Sequence, residues 1–293
     1  MAKRVHIIVN PASGQPQPVL HTLNSVFHPA GIDWDVFITK QSGDAQRYAQ
    51  EAVEAGVDVV AANGGDGTVM EVAQGVKGTE VPIAILPGGT ANLVSVELGI
   101  PKDLTKAIEL IASEDSQVRK VDMGKLGDEY FLLRVGMGIA AEKVRIADRE
   151  MKDRYGLAAY TIAGVQAIIG SEVARYKLTL DGQKIESEGV TCFIDNAGNM
   201  GVSDIKPVRD VDMSDGLLDV ILIHDLGAKA VTSAVSSIAG RSPDPTKIQH
   251  WQARTITIET NPPLNVQVDG EMRGQTPITV EVIPGVVGIL IPG

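Results

Sequence analysis

The sequence predicts an N-terminal three-layer α/β domain around a parallel sheet, followed by a C-terminal antiparallel β-sandwich with a helical insertion. Three observations lead there. Up to about residue 120, short β-branched runs alternate with segments of helical spacing, the pattern of βαβ units. From about Val121 the runs are strand-like and mostly divided by turn dipeptides. A helix-rich stretch, Ala140 to Ile169, interrupts that second pattern.

In the first half, Arg4–Val9, Asp33–Ile38, Val57–Ala62 and Pro82–Leu86 are apolar and flanked by Gly, Pro or Asn, as buried parallel strands are. Between them, Asp44–Ala55 repeats its apolar residues at three and four: Ala45, Tyr48, Ala49, Ala52 and Val53. Val69–Val76 forms a helix after the third strand. In the second half, Val121–Leu126, Glu129–Val135, Lys177–Leu180, Gly189–Ile194, Leu217–His224, Thr255–Thr260, Leu264–Val268 and Ile278–Val282 read as strands. Asp181-Gly182, Ser214-Asp215-Gly216 and Asp269-Gly270 supply turns, and a further helix covers Ala228–Ala239. The expected domains are residues 1–122 and 123–293, with the last strand able to pack back on the first domain.

Composition narrows the function classes. The chain has 293 residues with 26 Lys+Arg against 37 Asp+Glu, and a net charge of −11 argues against a nucleic-acid partner. One cysteine, Cys192, excludes an intramolecular disulfide framework and cysteine-cluster metal sites. The five histidines show no metal-ligand spacing. The longest run free of Asp, Glu, Lys, Arg and His, Tyr155 to Ser171, contains Thr161, Gln166 and three glycines, and falls short of the roughly 20 apolar residues of a membrane span. A cytoplasmic protein is expected.

The chemistry sits after the early strands, where open α/β sheets bind ligands. Asn10-Pro11-Ala12-Ser13-Gly14 follows the first, Asn63-Gly64-Gly65-Asp66-Gly67-Thr68 the third, and Pro87-Gly88-Gly89-Thr90-Ala91-Asn92 the fourth. Glycines admit close backbone approach, and successive N–H groups opening a helix form an anion nest. Asp66 among those amides makes sense if Mg²⁺ lies between it and phosphates. Thr68 and Thr90 add hydroxyls, and the loops together suit a triphosphate. No Gly-x4-Gly-Lys-Ser/Thr is present. Gly136-Met137-Gly138-Ile139-Ala140-Ala141 fits Gly-x-Gly-x-x-Ala, but its antiparallel context reads as a tight strand-to-helix turn.

Asn10-Pro-x-Ser-Gly14, Gly64-Gly-Asp-Gly-Thr68 and Leu86-Pro-Gly-Gly-Thr-Ala-Asn92 resemble the diacylglycerol kinase catalytic-domain family, which includes bacterial soluble lipid kinases and is related to sphingosine kinases. The resemblance continues through Val121-Asp-Met-Gly124, Gly136 to Glu142, Ser214-Asp-Gly-Leu-Leu-Asp219 and Asp269-Gly-Glu271, so it spans nearly the whole chain in order. It implies an NAD kinase-like α/β domain, ATP and Mg²⁺ in a cleft, and transfer of the γ-phosphoryl group to a lipid hydroxyl. By resemblance Thr39, the Gly65–Glu71 stretch and Thr90 contact ATP, with Asn10 and Gly64 in the same loops. Asp66 and Asp122 belong to a catalytic magnesium network, and Asp215 with the carbonyls of Asp212 and Leu217 matches a structural Mg²⁺ site. Leu93 stands where many members carry an Asp of that network. An NAD kinase shares only the Gly-Gly-Asp-Gly-Thr loop, and a nucleotide-binding regulator on the same fold is the non-enzyme alternative.

Glu271 looks like the general base by the same resemblance. A hydroxyl needs a carboxylate that takes its proton late in transfer. On local pattern alone, Glu271 reads as an exposed glutamate at a hairpin tip. In the insertion, Lys143, Arg145, Arg149, Lys152 and Arg154 are interleaved with Asp148, Glu150 and Asp153, and an apolar segment follows. Residues 143–170 could thus meet an anionic inner membrane face and a lipid, or form a solvated helix and a core helix. Oligomeric state, a dimer included, is open.

Overall fold

The computed structural model describes residues 3–14, 17–138, 173–199, 208, 211–224 and 248–293. The expected helical insertion over 140–169, the basic segment within it and the helix over 228–239 lie outside the described residues. The chain falls into two compact units, Met1–Asp122 with Gly285–Gly293, and Met123–Pro284.

In the first unit, β1 (Arg4–Val9), β2 (Asp33–Ile38), β3 (Val59–Gly64) and β4 (Ile83–Pro87) form a parallel sheet in the order β2-β1-β3-β4. The end of the last strand, β16 (Ile278–Ile291), adds to β4 in parallel at Ile289↔Ile83. Alternate strand residues face two helical layers. On one side Val5, Ile7, Val59, Ala61, Ala84 and Leu86 pack with α1 (Val19–Ala30) and α5 (Leu104–Ala112) through Leu23, Phe27, Ile108 and Ile111. The other layer holds α2 (Asp44–Glu54) and α3 (Asp66–Val76). They pack closely because Gly75 faces Ala49: a Cβ at 75 would lie 2.5 Å from the alanine's own. A short α4 (Leu93–Glu97) follows the fourth strand.

The third strand runs two residues later than its apolar pattern suggests. The Val57 amide still closes the end of α2 on Ala52 O at 3.4 Å, while Asn63 and Gly64 remain on the ladder opposite Val9 and Pro87. The glycine loop thus begins inside the sheet.

The second unit is an antiparallel β-sandwich. One layer contains β8 (Ala174–Leu180), β9 (Gln183–Gly189), β13 (Thr255–Asn261) and the first part of β16. The other runs β12-β11-β10-β7-β14-β15, made of β7 (Arg134–Met137), β10 (Thr191–Asp195), β11 (Leu218–Ile223), β12 (Ile248–Ala253), β14 (Asn265–Val268) and β15 (Glu271–Gln275). Tyr176, Leu178, Ile256, Ile258 and Val280 meet Cys192, Ile194, Val220, Leu222 and Val266 in one core. The remaining pair, β5 (Gln117–Leu126) and β6 (Glu129–Phe131), forms a hairpin.

The expected strand Glu129–Val135 is two strands. β6 pairs in the first sheet and β7 in the second, and the chain changes sheets at Leu132 and Leu133. Their amides leave the ladder because the Asp269 carboxylate takes them: Leu132 N donates at 3.1 Å, Leu133 N at 3.1 Å and Arg134 N at 2.8 Å. The sequence pattern also omits β9, β12 and β15. All three are edge strands, and edges are polar because they face water.

Candidate functional site

The first unit gathers its Gly- and Asn-rich loops at the carboxyl ends of β1, β3 and β4. Asn10 N donates to Asn63 O at 2.9 Å, and Asn63 Nδ2 donates to Leu86 O at 3.1 Å. Gly88 N donates to Gly64 O at 2.9 Å. The loops are bolted to one another through backbone, and several glycines are there for that purpose. A Cβ at Gly89 would lie 2.5 Å from Gly65 Cα, and one at Gly14 (φ 62°) would lie 1.7 Å from Gly88 O. Gly67 differs: it is exposed, and a Cβ there would meet nothing within 4 Å. Sequence reasoning assigned all these glycines to a ligand, and the structure divides them between loop contact and open space.

Asn10, Ser13, Thr39, Gly65, Gly67, Thr68 and Glu71 line one cavity of about 590 Å³. Asn10 Nδ2 donates to Thr68 Oγ1 at 3.0 Å while its Oδ1 accepts from Ala12 N at 3.0 Å, so one side chain sets both the loop and the threonine. Ser13 Oγ donates to Asn10 O at 2.8 Å. Gly65 caps α3, and the Thr68 and Val69 amides close on Gly65 O at 3.0 and 3.1 Å. The amides of Asp66 and Gly67 come before that ladder, at the positive end of the helix. Thr39 is buried at the end of β2, with its amide on Val9 O at 2.9 Å. Glu71 reaches across to α2, accepting from Ser42 Oγ and Ala45 N, both at 3.1 Å.

Asp44 holds the next stretch of wall. Its Oδ2 accepts from Lys40 N at 2.9 Å and Gln41 N at 3.2 Å, and its Oδ1 takes Arg47 Nη2 at 3.1 Å. The Lys40 amide first, then Arg47, hold its carboxyl below the ordinary value. Among the described lining residues Lys40 is the one cation. Sequence reasoning missed it, although its place beside Thr39 after a strand was the available signal.

Asp66, in the first turn of α3, is half-buried and accepts from Val94 N at 3.2 Å at the start of α4. Leu93 is the first residue of that helix. Thr90 is exposed in the loop, which Asn92 closes on Gly89 with bonds of 2.9 and 2.8 Å. Asp122 is buried in β5, where its Oδ1 accepts from Gly285 N at 2.6 Å.

The other acids belong to the second unit. Glu271 is the first residue of β15, opposite Val268, rather than part of the turn itself. Asp269 (φ 46°) and Gly270 (φ 90°) make the two-residue turn, and left-handed conformations at both are the hairpin requirement. Burial pushes Asp269 up to about 6, against the pull of the Arg134, Leu132 and Leu133 amides. The Glu271 carboxylate is 69% exposed and accepts from Arg273 Nη2. Asp212 Oδ1 accepts from Ser214 N, and Asp215 Oδ1 from Leu217 N, both at 2.9 Å, in the turn before β11. Among the described residues no helix is long and apolar enough to cross a membrane.

Two family models cover the chain in succession: the diacylglycerol kinase catalytic domain over residues 4–126, and the YegS C-terminal NAD kinase beta sandwich-like domain over residues 134–291. A "Diacylglycerol kinase" of Staphylococcus aureus (strain MRSA252) is 28% identical over 94% of this chain and 89% of its own. The "Uncharacterized protein sll0036" of Synechocystis is 31% identical over 99% of this chain and 70% of its own. A crystal structure of a "putative diacylglycerol kinase" from Bacillus anthracis str. Sterne superposes with a TM-score of 0.83 at 30% identity, covering 99% of this chain and 97% of that one. With both halves matched in order, and with relatives alike over nearly the full length, the chain belongs to the diacylglycerol kinase catalytic-domain family.

Proposed function

We propose that the protein is a lipid kinase that moves the γ-phosphoryl group of ATP to a hydroxyl of a lipid such as diacylglycerol, with Mg²⁺ as the accompanying ion. The observation that carries this is the cavity of the first unit, whose wall combines helix-opening backbone, hydroxyls, Asn10 and Lys40. Phosphoryl transfer asks for positioning and charge stabilisation more than for covalent chemistry. The amides of Asp66 and Gly67 and the Thr68 hydroxyl bind phosphate oxygens in this reading, and Lys40 offsets their charge. Glu71 and Asp44 keep the opposite wall in place through α2 and residues 40–41.

Among the described residues no group of three or more His, Cys, Asp or Glu is placed to hold a metal by itself. The donor set suits an ion shared with the nucleotide, since Mg²⁺ takes one or two carboxylates together with phosphate oxygens. Asp66, between the two lining glycines, is the proposed protein ligand, with Asp122 as the second acid of the network. Leu93 offers it no carboxylate. The ion would supply charge neutralisation on the phosphates. The Asp215 carboxylate and the backbone carbonyls of Asp212 and Leu217 are the proposed donors of a separate structural Mg²⁺. Glu271 is the proposed base, taking the proton from the lipid hydroxyl oxygen as the new P–O bond forms.

The test is to incubate the protein with labelled ATP, Mg²⁺ and a panel of lipids, with NAD alongside. Labelled phospholipid is expected, and Asp66→Ala should abolish transfer without changing the circular dichroism spectrum. Labelled NADP would overturn the reading in favour of an NAD kinase. Tight ATP binding with no transfer to any lipid would make the protein a nucleotide-binding regulator.

A further inference from the structure

β15 is an edge strand with all five residues exposed, an unpromising support for a side chain whose position matters. Two devices hold it. The first acts on the backbone. Asp269 N donates to Arg134 O at 3.0 Å while its carboxylate takes three consecutive amides from Leu132 to Arg134, so the turn before β15 is anchored at both of its polar ends. The second acts on the side chain. Arg273 lies two residues after Glu271 and so on the same face of the strand. Its guanidinium spends three donors on three acceptors: Nη2 on Glu271 Oε2, Nε on Glu129 Oε2 at 2.5 Å, and Nη1 on Met272 O at 3.0 Å.

Ion pairs this exposed contribute little to folding. A planar fork fixed at three points does something else: it fixes direction. We infer that Arg273, aligned by Glu129 of β6, is a positioning residue that holds the Glu271 carboxylate in its working orientation. Oε2 is committed to the guanidinium, which leaves Oε1 as the oxygen that takes the proton. Met272 O keeps the guanidinium against its own strand, and Glu129 reaches it from β6. This inference rests on the reading of Glu271 as the base.

The experiment measures kcat and the KM values for ATP and lipid in the full-length protein and in Arg273→Gln, Arg273→Lys, Glu129→Gln and Glu271→Gln. All three positions are substantially exposed, so the variants should fold, and their melting temperatures are measured beside the kinetics. Arg273→Gln should lower kcat roughly 10- to 100-fold, part of what a positioned base contributes, with both KM values within about twofold. Arg273→Lys should restore part of the loss by keeping the charge without the fork. Glu129→Gln should fall between that variant and the native protein. If Glu271→Gln is inactive while Arg273→Gln and Glu129→Gln keep native kcat, the positioning role is wrong and the base stands. If Glu271→Gln stays active, the base reading fails and takes this inference with it. A rise in the lipid KM at unchanged kcat would make Arg273 a lipid-binding group and also overturn the proposal.

Discussion

Two glycines of the same loop cluster should respond to alanine in opposite ways. Gly89→Ala places a methyl 2.5 Å from Gly65 Cα, where ordinary contact begins at 3.4 Å, so the loops must part by about 1 Å. The Gly88 N to Gly64 O bond, now 2.9 Å, would then stretch beyond hydrogen-bonding range. Losing a bond between two buried groups costs about 1–3 kcal/mol of stability. Gly67→Ala meets nothing within 4 Å and sits in the first turn of α3. Alanine is the better helix former there, by roughly 0.5–1 kcal/mol. The methyl would nevertheless project into space that the phosphates are proposed to fill. Displacing one charge-assisted bond, about 1.5–3 kcal/mol, weakens ATP binding roughly 10- to 150-fold. Urea unfolding without nucleotide and calorimetric titration with ATP and Mg²⁺ separate the two effects. Native ATP affinity in Gly67→Ala would refute the placement of phosphate at the mouth of α3, whatever happened to stability.

Two further outcomes follow from buried polar groups. Tyr176 is fully buried in the sandwich core, its hydroxyl has no hydrogen-bond partner among the described residues, and burial pushes its pKa far up. Tyr176→Phe should therefore stabilise the protein by about 1 kcal/mol in urea unfolding, and a loss of stability would show that the hydroxyl is bonded. Asp44 has its folded-state pKa lowered below 3.8, so its stabilising contribution is full above that value and is lost as pH falls through the folded one. The melting temperature of Asp44→Asn should lie below the native one at pH 7 and converge with it in acid; a constant gap would refute the linkage.

The parts of this molecule legible in its sequence are those whose signals are local. Strands β1, β3 and β4 are apolar runs that lead into Gly- and Asn-rich loops, punctuation that any pass along the chain meets. Three strands went unread because β9, β12 and β15 are edges, where polar residues replace the alternation that marks a half-buried strand. The helix α1 went unread between Pro18 and Pro29, although Leu23 and Phe27 hold a helical spacing. The division of Glu129–Val135 into two strands depends on Asp269, 137 residues further on from Leu132, and no local pattern contains that. Within the candidate site, Thr39 and Glu71 came from family resemblance, whereas Lys40 and Asp44 emerge with the folded geometry.

The two units hold their chemistry by different means, and the difference follows from what each group has to do. The proposed phosphate-binding loops present backbone, and their precision comes from backbone: Asn63, Gly64 and Gly88 tie the loops into the sheet they leave. A base must instead be a side chain reachable by substrate, and Glu271, the proposed base, is exposed on an edge strand, where burial can do nothing to hold it. In the proposed reading its geometry is imposed by polar partners instead. Asp269 does this for the backbone from the half-buried side of the turn, and Arg273 for the carboxylate from the exposed side. On this view the Asp before the Gly-Glu pair is more than a turn former. The same residue whose backbone makes the hairpin also draws, through its carboxylate, the chain between β6 and β7 from one sheet to the other, so the position of the proposed base and the path of the sandwich are set by one residue.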